Sequence, residues 1–292
     1  MMRGEIKEGR GGFYTVRDQS GQEHILRAKK KFRREGISPL PGDQVLFVPR
    51  GGEEHGWLEE IIQRESLCLR PPVANVSLFV IVIAIEPTPD FLLVDKLLIY
   101  TRLQGIKALI AVNKSDMSLE LFEEVNRTYR GADVPVLCVS AYSGHGLEEL
   151  KEAMQGELVS FAGQSGAGKS ALLSRLMDVD LISGAVSEKI KRGKQTTRHT
   201  TLLYHEGMKV MDTPGFSLLE LPGELEPEDL PNYYPEFRPY SAACRFRPCL
   251  HLHEPGCAVR QAAQEGSIDR QRMQRYEDLM AQVKTSWRER YD

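Results

Sequence analysis

The sequence has no apolar run of the roughly 18 to 20 residues needed to cross a bilayer. The strongest run, Val76 to Ile85, is too short and is β-rich. A helical membrane protein is excluded on that ground, and no membrane partner is expected. The first residues, Met1 to Arg10, are charged and carry Gly, so they lack the apolar stretch of a secretory signal. A cytoplasmic location is expected. Positive charge is not in surplus either: 38 Lys and Arg face 41 Asp and Glu, a net charge of −3. Coating nucleic acid through a global field is thereby excluded, and any such contact must come from local basic patches. The five cysteines do not suggest a disulfide framework, because three cluster near one His. That pattern indicates metal binding in a reducing compartment. Internal repeats and low-complexity tracts are missing. What remains is a 292-residue chain, long enough for two or three domains with real cores.

Residues 1 to about 64 read as short strands between turns, with candidates Gly12–Val16, His24–Ala28, Gln44–Val48 and Gly56–Ile62. Ser20-Gly21 and Pro41-Gly42-Asp43 supply the turn chemistry, Pro by presetting one dihedral and Gly by accepting a conformation others resist. A five-stranded barrel of the oligonucleotide-binding type fits this spacing. Between strands lies Lys29-Lys30-Lys31-Phe32-Arg33-Arg34, which could contact phosphates and stack a base on its one aromatic. A solvated charged loop is the competing reading. Arg70-Pro71-Pro72 then reads as a stiff linker.

From Val76 the pattern alternates strand and helix: Val76–Ile85, Phe91–Leu103, Lys107–Val112, Leu119–Tyr129, Val134–Val139, Leu147–Met154, Leu158–Ala162 and Ser170–Met177. Apolar strands separated by such helices predict a parallel sheet covered on both faces. Gly163-Gln164-Ser165-Gly166-Ala167-Gly168-Lys169-Ser170 sits between a strand and a helix and matches the phosphate-loop pattern in full, with Ala171 following. Its glycines let backbone N–H groups line an anion site at a helix N-terminus. Lys169 would reach the β- and γ-phosphates, and Ser170 would offer its hydroxyl to Mg²⁺.

Asn113-Lys114-Ser115-Asp116 follows a strand, at the carboxyl end of the sheet where such folds bind ligands. Asp116 can accept two hydrogen bonds from guanine, a pair that adenine does not offer. Asn113 would brace the loop and the stem of Lys114 would cover the base. After the next strand, Ser140-Ala141 would present the Ala141 N–H to the guanine carbonyl. Asp212-Thr213-Pro214-Gly215 ends the strand Lys209–Met211; Asp212 would hold Mg²⁺ through water, and the Gly215 N–H would sense the γ-phosphate. The next residue is Phe216, which cannot position an attacking water, so slow unassisted hydrolysis is expected.

The stretch from Ser183 to Thr201 is the first-switch candidate, rich in cations and poor in apolar residues. Thr197 is the choice for the Mg²⁺-reaching threonine, with Thr196, Thr200 and Thr201 as alternatives. Gln195 and His199 are the polar groups suited to orienting water. Further on, Cys244, Cys249, His251 and Cys257 follow C-x4-C-x-H-x5-C, a closed tetrahedral set for structural Zn²⁺. Arg245, Arg247 and His253 make the surroundings locally basic. Tyr276, Leu279, Met280, Val283 and Trp287 recur at helical spacing as a packing stripe.

Taken together, the barrel pattern, the proline-bearing linker, the reordered nucleotide motifs and the metal-ligand spacing resemble the circularly permuted, ribosome small-subunit-dependent GTPase A family over nearly the whole chain. The resemblance implies a GTP-hydrolysing bacterial factor that acts in late maturation of the small ribosomal subunit and binds its rRNA, and turnover that is faster on the subunit. In one place the chain departs from the family: its first switch commonly carries His-Thr-Thr, with that His assisting hydrolysis, whereas here Gln195 precedes Thr196-Thr197. A Gln can orient water but cannot act as a titrating base.

The expected architecture is multidomain α/β: an OB-like barrel over 1–64, a circularly permuted P-loop GTPase domain over 65–220, and a zinc-binding helical domain over 221–292. The chain is expected to be monomeric, with Mg²⁺ accompanying GTP or GDP. An RNA-binding protein gated by nucleotide, with a target other than the ribosome, is the rival reading; a P-loop kinase is a weaker one. Because the base-recognition loops precede the phosphate loop, the cut ends fall before Val76 and after Gly215. The second switch would then run straight into the metal domain.

Overall fold

A computed structural model describes residues 1–49, 55–69, 71–179, 200–216 and 220–290. The N-terminal part is a closed barrel in the order β1 (Met2–Arg10), β2 (Phe13–Asp18), β3 (Glu23–Ala28), β5 (Gly56–Ile61), β4 (Gln44–Val48). Alternation places Ile6, Val16, Leu26, Val45, Phe47 and Leu58 inside, all fully buried. Four of the five strands lie where the pattern predicts them. β1 was not expected, because Ile6 is its sole large apolar core residue in an otherwise charged or Gly-containing stretch. The basic run forms a short helix, α1 (Lys30–Arg34), and it corrects one expectation: Phe32 is 4% exposed and belongs to the barrel core. A ring held there cannot stack a base.

The predicted linker is also different in form. Pro72 begins β7 (Pro72–Ala74), which pairs with β6 (Leu67–Leu69) as a two-stranded hairpin. The Pro41-Gly42-Asp43 turn docks on it: the Ala74 N–H donates to the Pro41 carbonyl, and Asn75 Nδ2 to that of Gly42. Gly42 has φ +89°, and a Cβ there would lie 2.1 Å from the Ala74 oxygen, so the approach requires glycine. Arg64 closes the seam with a bidentate pair to buried Asp43 at 2.7 and 2.8 Å.

Among the described residues the central sheet has six strands in the order β10-β9-β8-β11-β13-β12. They are β8 (Leu78–Ala84), β9 (Lys107–Asn113), β10 (Val136–Cys138), β11 (Leu158–Ala162), β12 (Thr201–His205) and β13 (Met208–Phe216). All pairs are parallel except β12 with β13. One face packs on α2 (Phe91–Leu103) and α3 (Glu120–Thr128), the other on α4 (Leu147–Met154) and α5 (Lys169–Met177). β8 is buried at all seven positions, as a central strand covered on both faces must be.

The C-terminal part carries two 3₁₀ turns, α6 (Arg238–Ser241), α7 (Ala258–Gln264) and the long α8 (Arg270–Glu289). Asp269 caps α8 by accepting from the Arg272 N–H. Four residues of the predicted stripe of α8 are core, Tyr276, Leu279, Met280 and Val283, and Ile99 of α2 joins the same cluster, whereas Trp287 is half-buried and lies outside it. Among the described residues no helix is long and apolar enough to cross a membrane.

Candidate nucleotide site and metal cluster

The phosphate loop leaves β11 at Gly163 and enters α5 at Gly168, the N-cap. Lys169 starts that helix; burial lowers its pKa, and its Nζ donates to the carbonyls of Gly163 and Gln164 at 2.7 and 2.8 Å. The ammonium is thus held across the loop, where it would meet an incoming phosphate. Ser170, one residue on, is exposed at the helix start. Ser165 and Gly166 are exposed at the loop tip, whereas Ala167 is buried and Ala171 half-buried.

Asn113, the last residue of β9, joins three predicted motifs. Its Nδ2 donates to the Ala167 carbonyl at 2.9 Å, and its Oδ1 accepts from the Ala141 N–H at 3.1 Å. Gly168 has φ +94°, and a Cβ there would stand 2.2 Å from Asn113 Nδ2, so this brace and the glycine require each other. Ser140 Oγ donates to Asp116, which fixes one carboxylate oxygen of the base-recognition loop. Lys114 has φ +64° and reaches the Glu86 carbonyl at 2.7 Å. Loops as much as 54 residues apart, Asn113 to Ala167, thereby share one corner of the sheet.

On the far side, Asp212 lies in β13, opposite Thr201, and residues 213–216, including Gly215, continue the strand beside β11. Gln195 and Thr197, with His199, lie outside the described residues. Two contacts of this region carry no signal in the sequence. Gln164 Oε1 accepts from the Asp90 N–H at 3.2 Å, tying the phosphate loop to the N-cap of α2. Barrel residue Glu5, itself buried, accepts from Tyr204 Oη at 2.9 Å and pairs with Lys209 at 3.0 Å, and Glu8 accepts from Thr201 at 3.3 Å. The barrel therefore rests on the edge strand β12, at the C-terminal end of the first-switch candidate stretch. Neither contact repeats with a local period, so neither could be read from the chain alone.

Cys244, Cys249, His251 and Cys257 come together with all four ligand atoms within 4.8 Å of one another. His251 Nδ1 lies 3.7 Å from Cys244 Sγ and 3.3 Å from Cys257 Sγ, and the latter sulfurs are 3.9 Å apart. Tetrahedral Zn²⁺ with bonds of about 2.0 to 2.3 Å requires ligand separations of roughly 3.3 to 3.8 Å, so the residues fit such an ion. Burial pushes the Cys249 thiol up to about 12 and lowers His251. Charged thiolates in this setting call for a cation among them. Glu254 shapes the loop by accepting from the Leu250 and Leu252 N–H groups, both at 2.8 Å. Arg245, Arg247 and His253 are exposed around the cluster.

The reordered motifs, the barrel and this cluster have a counterpart among known proteins. Residues 61–222 match the family model described as RsgA GTPase, and residues 3–58 match the RsgA N-terminal domain. The chain belongs to the RsgA GTPase family. A small ribosomal subunit biogenesis GTPase RsgA from Ruminiclostridium cellulolyticum is 42% identical over 97% of this chain and 94% of its own length. The protein of that description from Caldanaerobacter subterraneus subsp. tengcongensis is 40% identical over 99% of this chain and 98% of its own. Among solved structures, YjeQ from Thermotoga maritima superposes with a TM-score of 0.82 at 30% identity, covering 97% of this chain and 98% of that one. YloQ, described as a circularly permuted GTPase, gives 0.80 at 30% identity, covering 98% and 96%. The RsgA fold thus accounts for the barrel, the permuted sheet and the C-terminal cluster.

Proposed function

We propose that this RsgA-family GTPase hydrolyses GTP to GDP and phosphate on the small ribosomal subunit, acting in its late maturation and contacting its rRNA. The observation that carries this reading is the Asn113 brace, which holds the phosphate loop and both base loops in one site despite their permuted order. The names of the relatives supply the subunit.

Asp116 would select guanine, with Lys114 and the Ala141 N–H around the base. Residues 163–171 would cradle the phosphates through backbone N–H groups, and Lys169 would neutralise the β- and γ-oxygens. Ser170, Thr197 and, through water, Asp212 would hold Mg²⁺, which would offset the charge of the phosphates. Gly215 would register the γ-phosphate, and Gln195 would orient the attacking water. The Cys3His cluster would take one structural Zn²⁺. The working units are 1–64, 65–220 and 221–292, in a monomer acting in the cytoplasm.

Co-sedimentation with purified small and large subunits tests the target. With a non-hydrolysable GTP analogue the protein should pellet with small subunits and leave them when GDP replaces the analogue. Pelleting with neither subunit would remove the ribosomal target and favour another RNA.

A further inference from the structure

The barrel displays a second surface that the basic helix does not account for. Strand register puts Arg10 opposite Phe13, Phe13 opposite Arg27, and Arg27 opposite Trp57. All four point away from a core built on the alternate positions Val16, Leu26 and Leu58. With strands about 4.8 Å apart the row spans roughly 14 Å, alternating cation and aromatic. Its parts support one another. The Arg27 guanidinium lies 4.4 Å over the Phe13 ring, and His55 packs against that ring's edge at 4.6 Å. Trp57 is 37% exposed, and apolar Val48 and Ile25, both exposed, flank the row.

We propose that this row is a stacking platform for unpaired RNA, with Trp57 receiving a base and Arg27, presented on Phe13, receiving the next base or its phosphate. The proposal rests on the RNA-binding reading above and says where on the barrel the bases go. The chemistry favours unpaired RNA over duplex because only splayed bases offer their faces to a sheet, typically two or three at a time. No carboxylate stands in the row, and exposed Lys30, Lys31 and Arg34 of α1 follow shortly after β3, where they can follow the backbone. The buried Phe32 leaves this role open to the outward aromatics.

The test uses the full chain carrying Trp287→Phe, which leaves Trp57 as its one tryptophan. Titration with a short oligouridylate should quench Trp57 emission, and a blunt RNA duplex of equal length should not. Trp57→Ala and Arg27→Ala, made in the unaltered chain, should each weaken oligouridylate binding about tenfold. Trp57→Phe should recover most of the loss, and basal GTP hydrolysis should stay unchanged in all three. An unquenched Trp57 with unaltered affinity in Trp57→Ala would overturn the platform. If Lys30→Ala/Lys31→Ala then lost binding, the barrel would bind RNA by charge alone and the broader reading would stand. If the unaltered full chain bound neither RNA, that broader reading would fall as well.

Discussion

At the scale of single residues, specificity rests on a few hydrogen bonds whose loss leaves a partner stranded. Asp116 is oriented by Ser140 and is expected to face guanine with its carboxylate. Replacing it by Asn turns one acceptor into a donor that meets the guanine amine. The expected outcome for Asp116→Asn is GTP binding weaker by about fivefold to a hundredfold, because a buried mispaired group costs about 1 to 3 kcal/mol. Xanthosine triphosphate, which carries an oxygen in place of that amine, should bind the variant better than the parent protein. Competition titrations with a fluorescent nucleotide read both effects; an unchanged GTP-to-XTP ratio would remove Asp116 from the base site. Lys169→Ala should abolish turnover while the metal cluster keeps its ion, since Lys169 bonds within its own loop. Retained hydrolysis in the purified variant would refute the phosphate-site assignment.

The elements add a second link between the nucleotide site and the C-terminal part, namely α2. Its N-cap region meets Gln164, and its Asp95 is buried and pairs with both Arg272 and Arg275 of α8. Arg272 is 1% exposed and also meets Glu236. Burial lowers its pKa, but the two carboxylates more than offset that, so the guanidinium stays charged. Removing one partner of such a group strands a charge, so Asp95→Ala should destabilise the protein by about 3 to 5 kcal/mol in urea unfolding. A loss under about 1 kcal/mol would mean that Glu236 alone suffices. At the barrel seam, Tyr204→Phe removes one donor from Glu5 but leaves Lys209 and Gln44, and about 1 to 2 kcal/mol should be lost. Phosphate loop, base loops and ligand spacing were legible in the sequence because each is a local solution to a local chemical demand. Strands and helices with dense periodic apolar residues were legible too, as in β4, α2, α4 and β11. β1 was not, because only Ile6 marks its core face. The Asp95–Arg272 pair, 177 residues apart, and the Glu5 contacts depend on tertiary neighbours that no local pattern encodes.

On the scale of the whole molecule, the permutation makes β8 the first and β13 the last strand of the GTPase sheet in chain order, so the barrel precedes one and the C-terminal part follows the other. β13, the second-switch candidate, precedes the C-terminal part with its Cys3His cluster, and α2 clamps that part to the phosphate-loop side. The barrel rests on β12, which begins where the first-switch candidate stretch ends. Metal removal tests how far the parts depend on one another. A structural Zn²⁺ contributes on the order of 10 kcal/mol to folding its module. Chelation should therefore expose residues beyond 221 to protease well before the barrel, and a protease pattern indifferent to chelator would deny the ion a structural role. The most direct test of the account is GTP turnover by the full chain alone, with small subunits and with large subunits. Turnover should rise at least tenfold with small subunits and stay at its basal value with large ones; equal rates in all three conditions would contradict a GTPase whose completed site depends on the small subunit.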